Sequence, residues 1–118
     1  MKTVPQIAAR LVELCRKKKF VEAYQELYGE EAESIDPLYA NQPLSKGLIN
    51  LIEREKQFLG KAQINNITVS EPMISGSYFA ITIGMEFIHE DRGYINTGEL
   101  CVYHVKDGKI VRQHFFIG

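Results

Sequence analysis

The sequence YINTGELCVYHVKDGKIVRQHFFI, residues 94–117, consists of two runs rich in β-branched and aromatic residues, with Asp107-Gly108 between them. Such runs favour β-strands, and an Asp-Gly pair between them is the strongest short signal of a two-residue β-hairpin turn. The stretch therefore predicts one strand over Tyr94–Val105 and a second, antiparallel strand over Lys109–Ile117.

Two further strands are predicted before this hairpin. Ser77–His89 has the same composition, and Glu90–Gly93 is typical of a turn that leads into Tyr94. Ile64–Glu71 is another strand candidate and is bounded by Pro72. Because consecutive hairpins connect neighbouring antiparallel strands, the second half of the chain predicts an antiparallel meander.

The first third of the chain has the period of amphipathic helices. Residues 4–16 carry apolar side chains at helical spacing, with Thr3 as N-cap and Pro5 in the first turn. A second helix is predicted from the apolar residues Phe20, Ala23, Tyr24, Leu27 and Tyr28. Gly29 is expected to end it in the left-handed conformation.

A short extended piece over Ala32–Asp36 and a loop over Pro37–Ser45 precede a third predicted helix. Ser45 is the expected cap of that helix, and Gly60 is expected to close it. One stripe of the helix carries Leu48, Leu51, Ile52, Glu55, Phe58 and Leu59. Since helices precede strands, the order of elements predicts an α+β fold.

The bulk composition suits one globular domain over residues 1–118. Hydrophobic residues make up 45% of the chain and charged residues 25%, and the net charge is -1. The one basic run, Arg16–Lys19, is short and is expected at the end of a helix, where cations interact favourably with the helix dipole. We therefore expect no nucleic-acid partner.

The sequence also predicts a cytoplasmic protein without a membrane span or a cofactor. No apolar run reaches the roughly 20 residues of a membrane span, and the first residues lack the apolar core of a signal peptide. Cys15 and Cys101 lie far apart in apolar contexts, which indicates reduced, buried thiols. No metal-ligand spacing, phosphate-binding glycine loop or Ser-His-Asp order is present.

The two faces of the long strands are both partly apolar. Thr97, Glu99, Cys101 and Tyr103 share one face of their strand, and Gln113 and Phe115 share the matching face of the next. One face should pack on the helices. The other is a candidate homodimer interface, since a large exposed apolar sheet would promote aggregation.

Asp36 is the first candidate functional residue. It stands before Pro37, where the helical half of the chain meets the sheet. A carboxylate facing an apolar cavity there would have a raised pKa, caused by desolvation, and could act as a general base. A turn residue ahead of a proline explains Asp36 equally well, so both interpretations stay open.

Glu99 is the second candidate, because a carboxylate in the middle of a strand is expensive to bury alone. If it points inward, it needs a proton or a partner, and Gln113 on the neighbouring strand is the expected partner. An inward Glu99 would serve ligand binding or acid–base chemistry. An outward Glu99 would be an ordinary solvated residue.

The histidines and the aromatic residues are assigned structural positions. His89 and His104 are expected at the surface or rim, and His114 at an interface or surface on the face opposite the pocket. Aromatic side chains at helical or strand spacing are typical of any core or pocket wall. The residues assigned to these walls are Tyr24, Tyr28, Phe58 and Phe115.

Five short motifs follow one another along the chain: Leu27–Ala32, Ser34–Pro37, Lys46–Leu48, Glu99–Ile110 and Arg112–Phe116. In this order and spacing they resemble the SnoaL-like (polyketide-cyclase-like) family of the nuclear transport factor two-like superfamily. The resemblance covers nearly the whole chain. It implies a cone-shaped barrel in which a curved, mostly antiparallel sheet wraps around three helices and encloses an apolar pocket, usually as a dimer through the sheet.

The steroid isomerases of this superfamily provide a test of mechanism. Asp36-Pro37 matches the position of their catalytic base. Their oxyanion tyrosine corresponds to Leu11 or Val12 here, and their protonated aspartate to Cys101. The resemblance therefore implies a protein that lacks the steroid-isomerase oxyanion donors.

Two main functions remain open at this point. The first is a binding module for a small apolar or amphipathic molecule, with a pocket lined by Tyr24, Phe58, Thr97, Cys101, Gln113 and Phe115. The second is a cofactor-independent lyase, isomerase or cyclase that uses Asp36 or Glu99 as general acid or base. The incomplete catalytic constellation favours the first. A third alternative is an assembly protein whose cone is filled by aromatic side chains.

Overall fold

The computed structural model describes all residues, 1–118, as three helices and seven strands. The helices occupy the first half of the chain, and the five strands from β3 onward follow without a further helix. In chain order the elements are α1 (Val4–Arg16), α2 (Phe20–Leu27), β1 (Tyr28–Ile35), β2 (Leu44–Lys46), α3 (Leu48–Lys61), β3 (Ala62–Val69), β4 (Met73–Ser75), β5 (Tyr78–His89), β6 (Gly93–Lys106) and β7 (Lys109–Ile117).

Helix α1 begins where its capping residues predict. The Thr3 side chain accepts a hydrogen bond from the Gln6 backbone N–H, and the Gln6 side chain accepts one from the Thr3 N–H, which together form a capping box. Pro5 lies in the first turn, as expected. The apolar stripe of α1 is buried, so the predicted helix and its cap are confirmed.

The predicted end of α2 is wrong. Helix α2 ends at Leu27, and Tyr28 is already extended with φ -100° and ψ 149°. Gly29 lies within β1 and is not in the left-handed conformation. The reason is tertiary, because β1 pairs in parallel with β7 from Tyr28 onward, and this pairing extends the strand further back than its sequence indicates.

Both predicted ends of α3 also differ from the observed ones. Ser45 lies in β2 and makes no cap; the N-cap is Gly47, with φ 92°. Pairing of Ser45 with Ser34 of β1 places it in the sheet instead. Gly60 does not close the helix, which continues to Lys61.

The sheet confirms the predicted meander. Strands β5, β6 and β7 are consecutive antiparallel neighbours. Asp107 and Gly108 have φ values of 51° and 74°, as a two-residue hairpin turn requires. The full order is β2-β1-β7-β6-β5-β3, with β4 paired to β5, and the sheet is not closed.

The core lies between the helices and one face of the sheet. Cys101 and Tyr103 of β6 are buried on this inner face, together with the apolar stripe of α1. On the outer face Leu100 is 44% exposed and Phe116 is 46% exposed. The alternation predicted for β6 and β7 is therefore confirmed, and the architecture is α+β.

Two further observations concern the thiols and the helix lengths. Cys15 and Cys101 are both buried and unpaired, as expected. The longest helix, α3, has 14 residues, and none of the three helices is long and apolar enough to span a membrane.

Candidate functional site

A cavity of about 90 Å³ lies between α3, the loop after β1 and the inner face of the sheet. Its volume is well above the roughly 10–15 Å³ that one water molecule needs. A completely filled cone is therefore wrong. The apolar wall includes Phe20, Phe58, Ile83, Met85, Phe87 and Phe115, and the polar groups that reach it belong to Asp36, Tyr39, Glu55, Thr97 and Glu99.

Asp36 directly follows β1, where it is a turn residue and also borders the cavity. Its carboxylate Oδ1 accepts a hydrogen bond from the Leu38 N–H at 3.0 Å, which forms a tight turn around Pro37. Its Oδ2 accepts no hydrogen bond from the protein, and the side chain borders the cavity. The carboxylate is thus held in place by one oxygen and leaves the other available.

The pKa of Asp36 is raised, as predicted, and desolvation is the main cause. The residue is 9% exposed, and burial favours the protonated form. The Leu38 N–H opposes this increase, and so do the positive charges of Arg54 and Arg92. The ionised form of Asp36 is therefore more stable than that of a buried carboxylate without such neighbours.

Glu55 is a third cavity carboxylate, which the sequence placed on the apolar stripe of α3 without a functional role. Burial raises the pKa of Glu55 to about 7, the charge of Asp36 raises it further, and Arg54 opposes the shift. Glu55 makes no hydrogen bond and no ion pair within 4.0 Å. Its position among Leu51, Ile52 and Phe58 is the signal that could have identified it.

Glu99 reaches the cavity from the inner face of β6. Burial raises the pKa of Glu99 to about 7, and the charges of Asp36 and Glu55 add to the increase. Its one hydrogen-bond contact is the Cys101 thiol, whose Sγ lies 4.0 Å from Oε2. Glu99 therefore points inward without a strong partner.

Gln113 is not the partner of Glu99. It is 1% exposed, and its Nε2 donates to the Tyr24 hydroxyl at 2.8 Å and to Ser34 Oγ at 2.9 Å. Its Oε1 accepts a hydrogen bond from the Tyr28 hydroxyl. Gln113 thus belongs to a buried network that joins α2, β1 and β7.

The six residues predicted to line the pocket lie in three places. Phe58, Thr97 and Phe115 line the cavity, whereas Cys101 and Gln113 lie in the core beside it. Tyr24 lines a smaller adjoining cavity of about 30 Å³, which Asp36 and Glu55 also border.

His89 is buried, contrary to the surface position expected for it. It is 7% exposed, its ring lies 5.7 Å from the Phe58 ring, and its Nδ1 accepts a hydrogen bond from the Asp91 N–H at 3.1 Å. The turn after β5 folds back onto it. His104 and His114 are half-buried on the outer face, where they stack on Tyr78 and Phe116.

A surface groove of about 620 Å³ adjoins the cavity, and Leu38 and Tyr39, which border both, mark the mouth of the cavity. The guanidinium carbon of Arg54 lies 3.8 Å from the centre of the Tyr39 ring, and that of Arg92 lies 5.7 Å from it. Cations over an aromatic face are attracted by its quadrupole. The mouth is therefore positively charged, whereas the cavity behind it carries carboxyl groups.

A match to a protein-family model shows to which family the chain belongs. The model of the SnoaL-like domain matches residues 2–117. The chain belongs to the SnoaL-like family. No curated protein matches it in sequence.

Solved structures show the same fold throughout the chain. A candidate SnoaL-like polyketide cyclase from Mesorhizobium loti superposes with a TM-score of 0.91 at 21% identity, over 98% of this chain and 99% of that one. A candidate polyketide cyclase from Pseudomonas putida gives 0.73 at 12% identity, over 100% and 93%. A ketosteroid isomerase-like protein from Catenulispora acidiphila, solved with trimethylamine, gives 0.74 at 9% identity, over 97% and 86%. These likenesses show the fold, a cone-shaped α+β arrangement.

The positions compared with steroid isomerases are now located in this SnoaL-like protein. Asp36 borders the cavity, whereas Leu11, Val12 and Cys101 are buried in the core. The acidic groups that accompany Asp36 come from other positions, on α3 and β6. They do not form a group of residues placed to hold a metal ion.

The carboxyl groups of the cavity can act both as acids and as bases. A carboxyl with a pKa of about 7, as for Glu55 and Glu99, is partly protonated and partly ionised near neutral pH. Its protonated form donates a hydrogen bond, and its ionised form accepts a proton. Two polar groups converging on one apolar cavity are the minimum that acid–base catalysis needs.

Proposed function

We propose that this protein binds a small, largely apolar molecule in the cavity and transfers a proton on it, as a cofactor-independent isomerase, lyase or cyclase. One observation carries the proposal. Asp36, Glu55 and Glu99 come from three separate elements and border one apolar cavity, and none has an ion-pair partner. Because such burial destabilises a fold, a role in function explains the arrangement better than a role in stability.

The environments of the three carboxyls suggest their roles. Asp36 is the general base, because the Leu38 N–H and the arginine charges favour its ionised form and its Oδ2 is free. It removes a proton from a carbon next to a carbonyl, and the electron pair of that C–H bond moves towards the carbonyl oxygen. A protonated Glu55 or Glu99 donates a hydrogen bond to that oxygen as negative charge develops on it.

The test is the exchange of carbon-bound protons for deuterium in D2O, followed by NMR on cyclopentanone and butanone. We expect the wild-type protein to accelerate exchange next to the carbonyl. Asp36→Asn should remove the acceleration, since the amide is not a base, whereas Glu99→Gln should retain part of it because the amide still donates a hydrogen bond. Glu53→Gln, an exposed change on α3, is the control.

A non-catalytic binding module is the second candidate. Leu11 or Val12 and Cys101, which stand where steroid isomerases carry their oxyanion donors, are buried in the core and supply no such donor to the cavity, and this favours binding without catalysis. The related fold from Catenulispora acidiphila was solved with trimethylamine, so a neighbour of this fold holds a small molecule. Ketone binding without any exchange, unaffected by Asp36→Asn, would support this candidate and contradict catalysis.

We also propose that two copies associate through the outer face of the sheet. Leu100 of β6 lies opposite Phe116 of β7 on that face, and Tyr78 of β5 lies opposite His104. Three of these side chains, those of Tyr78, Leu100 and Phe116, are more than 40% exposed. An apolar sheet face of this kind is typical of a protein–protein contact. Sedimentation should show a dimer, and Leu100→Glu should convert it to a monomer.

A reducing, cytoplasmic location is part of the same proposal. Cys15 and Cys101 are both free thiols, and burial raises the pKa of the Cys15 thiol to about 12. Such thiols behave as small apolar side chains. Mass spectrometry of the protein from cells should find both cysteines unoxidised; a disulfide-linked form would contradict this location.

A further inference from the structure

We propose that the ligand of this cavity is amphiphilic, with an apolar end that enters the cavity and an anionic group, a carboxylate or a phosphate, that Arg54 and Arg92 hold at the mouth. This inference rests on the proposed binding function of the cavity. It adds the chemical class of the ligand and its orientation.

The cavity and the groove are neighbours, because Leu38 and Tyr39 border both of them. In the proposed complex one extended molecule passes beside Tyr39 and occupies the two together. The groove is lined at the mouth by Arg54, Arg92 and the polar side chains of Asn41 and Gln42. The polar wall is therefore outside, and the apolar wall is inside.

Arg54 is held in a fixed position. Its Nη1 donates to the Gln42 carbonyl at 3.3 Å, its Nη2 donates to the Pro43 carbonyl at 3.2 Å, and the guanidinium lies flat enough on Tyr39 for a 3.8 Å contact. A guanidinium has five N–H donors, so some remain free. Because the side chain is already ordered, an anion gains its hydrogen bonds at a small entropic cost.

Arg92 is exposed and makes no hydrogen bond or ion pair, although its guanidinium lies 5.7 Å from the same Tyr39 ring. The chain has five arginines. Arg10, Arg16 and Arg112 each have a carboxylate within 4.0 Å. Arg54 and Arg92 have none, so the two arginines without a counter-ion are the two that meet at the mouth.

Charge also sets the orientation of the ligand. The ionised carboxylate of Asp36 repels an anion from the interior, and so do Glu55 and Glu99 in their ionised forms, whereas the guanidinium groups of Arg54 and Arg92 attract it at the mouth. An apolar chain has the opposite preference, because it gains by leaving water for the cavity. The ligand therefore enters with its apolar end first.

The experiment uses hexanoate, hexyl phosphate, hexanol and hexylamine as probes, measured by calorimetry and by NMR of the Thr97 and Phe115 amides. We expect hexanoate to bind about tenfold or more tightly than hexanol, as a charge-assisted pair predicts. Arg92→Gln should weaken hexanoate about tenfold and leave hexanol unchanged. Arg54→Lys, which retains the charge but loses the planar guanidinium group, should weaken hexanoate binding less than Arg92→Gln does.

The matched control is Lys106→Gln, which removes one positive charge at the opposite end of β6 and should change nothing. Tighter binding of either hexanoate or hexyl phosphate supports the inference and identifies the preferred anion. Hexylamine binding more tightly than both anions, or hexanoate binding no better than hexanol, would overturn it. If hexanol still shifts the cavity amides, the proposed function stands without the inference; if no probe does, both are wrong.

Discussion

Glu55 of helix α3 and Glu99 of strand β6 face one cavity, and burial raises the pKa of each to about 7. The charge of Glu55 adds to the increase at Glu99. Two acids that approach each other in an apolar space oppose each other's ionisation. This relationship makes the site sensitive to pH near neutrality, and it makes both the stability and the proposed chemistry testable.

We expect the protein to be less stable at about pH 8 than at about pH 5. The carboxyls of Glu55 and Glu99 titrate near 4.5 when unperturbed and at about 7 in the folded protein. Between these values the folded state binds more protons than the unfolded chain, so the free energy of unfolding falls as the pH rises. For each carboxyl, the loss of unfolding free energy is at most on the order of 3 kcal/mol. Urea unfolding at the two pH values measures the difference in stability. An increase in stability with pH across this window would contradict the raised pKa values of Glu55 and Glu99.

Glu55→Leu should raise the free energy of unfolding at about pH 8 by roughly 1–3 kcal/mol and lower the proposed activity, with Asp36 and Glu99 still in place. An apolar side chain at this position avoids the cost of desolvating a carboxylate that has no partner. Glu53→Leu, an exposed change two residues earlier on α3, is the control and should have little effect. Thermal unfolding of both variants measures the difference. A less stable Glu55→Leu protein would show that the glutamate is structural.

Gln113→Ala should destabilise the protein by about 2–4 kcal/mol. The variant leaves the Tyr24 and Tyr28 hydroxyls and Ser34 without the hydrogen bonds that Gln113 makes. Gln63→Ala, where the side chain is exposed and its one hydrogen bond is to Asn65, should change the stability by no more than about 0.5 kcal/mol. Urea unfolding of the two variants gives the comparison, and equal effects would contradict a special role for the network.

Thr3→Ala should cost about 1 kcal/mol of stability, because it removes the side chain that accepts a hydrogen bond from the Gln6 N–H at 3.3 Å. Thr3→Ser, which keeps the hydroxyl, should retain most of this stability. Hydrogen exchange of the first turn of α1 measures the local effect. Unchanged protection in Thr3→Ala would show that the capping box contributes nothing there.

Local signals predicted the elements well wherever one strong residue pair decided the conformation. Asp107-Gly108 formed its hairpin, and Thr3 capped α1, since both depend on neighbours within three residues. Local signals failed at Gly29, Ser45 and Gly60. At Gly29 and Ser45, pairing within the sheet overrode the local signal. A glycine inside a helix costs only about 1 kcal/mol relative to alanine, so Gly60 does not end α3.

The candidate site could be predicted only in part. Strand alternation placed Glu99 on the same face of its strand as Cys101 and Tyr103 but left its inward orientation open, and the Asp36-Pro37 step located the end of β1. The sequence did not reveal that Glu55 would join them, because the third acid comes from a helix whose packing against the sheet is not visible in its own period. Gln113 was paired with the wrong side chain for the same reason, since its partners lie 79 to 89 residues away.

The sequence alone determined the helical and strand periods of the hydrophobic pattern, the hairpin turn, the first helix cap and the residues that share a face of β6 with Glu99. These properties follow from backbone conformation and from which side chains avoid water. The tertiary structure alone decided which carboxyls share the cavity, which arginines remain without a counter-ion at its mouth, and how far each pKa is raised. Desolvation and electrostatic interaction depend on distances between groups that are far apart in the chain, and only the packed fold sets those distances.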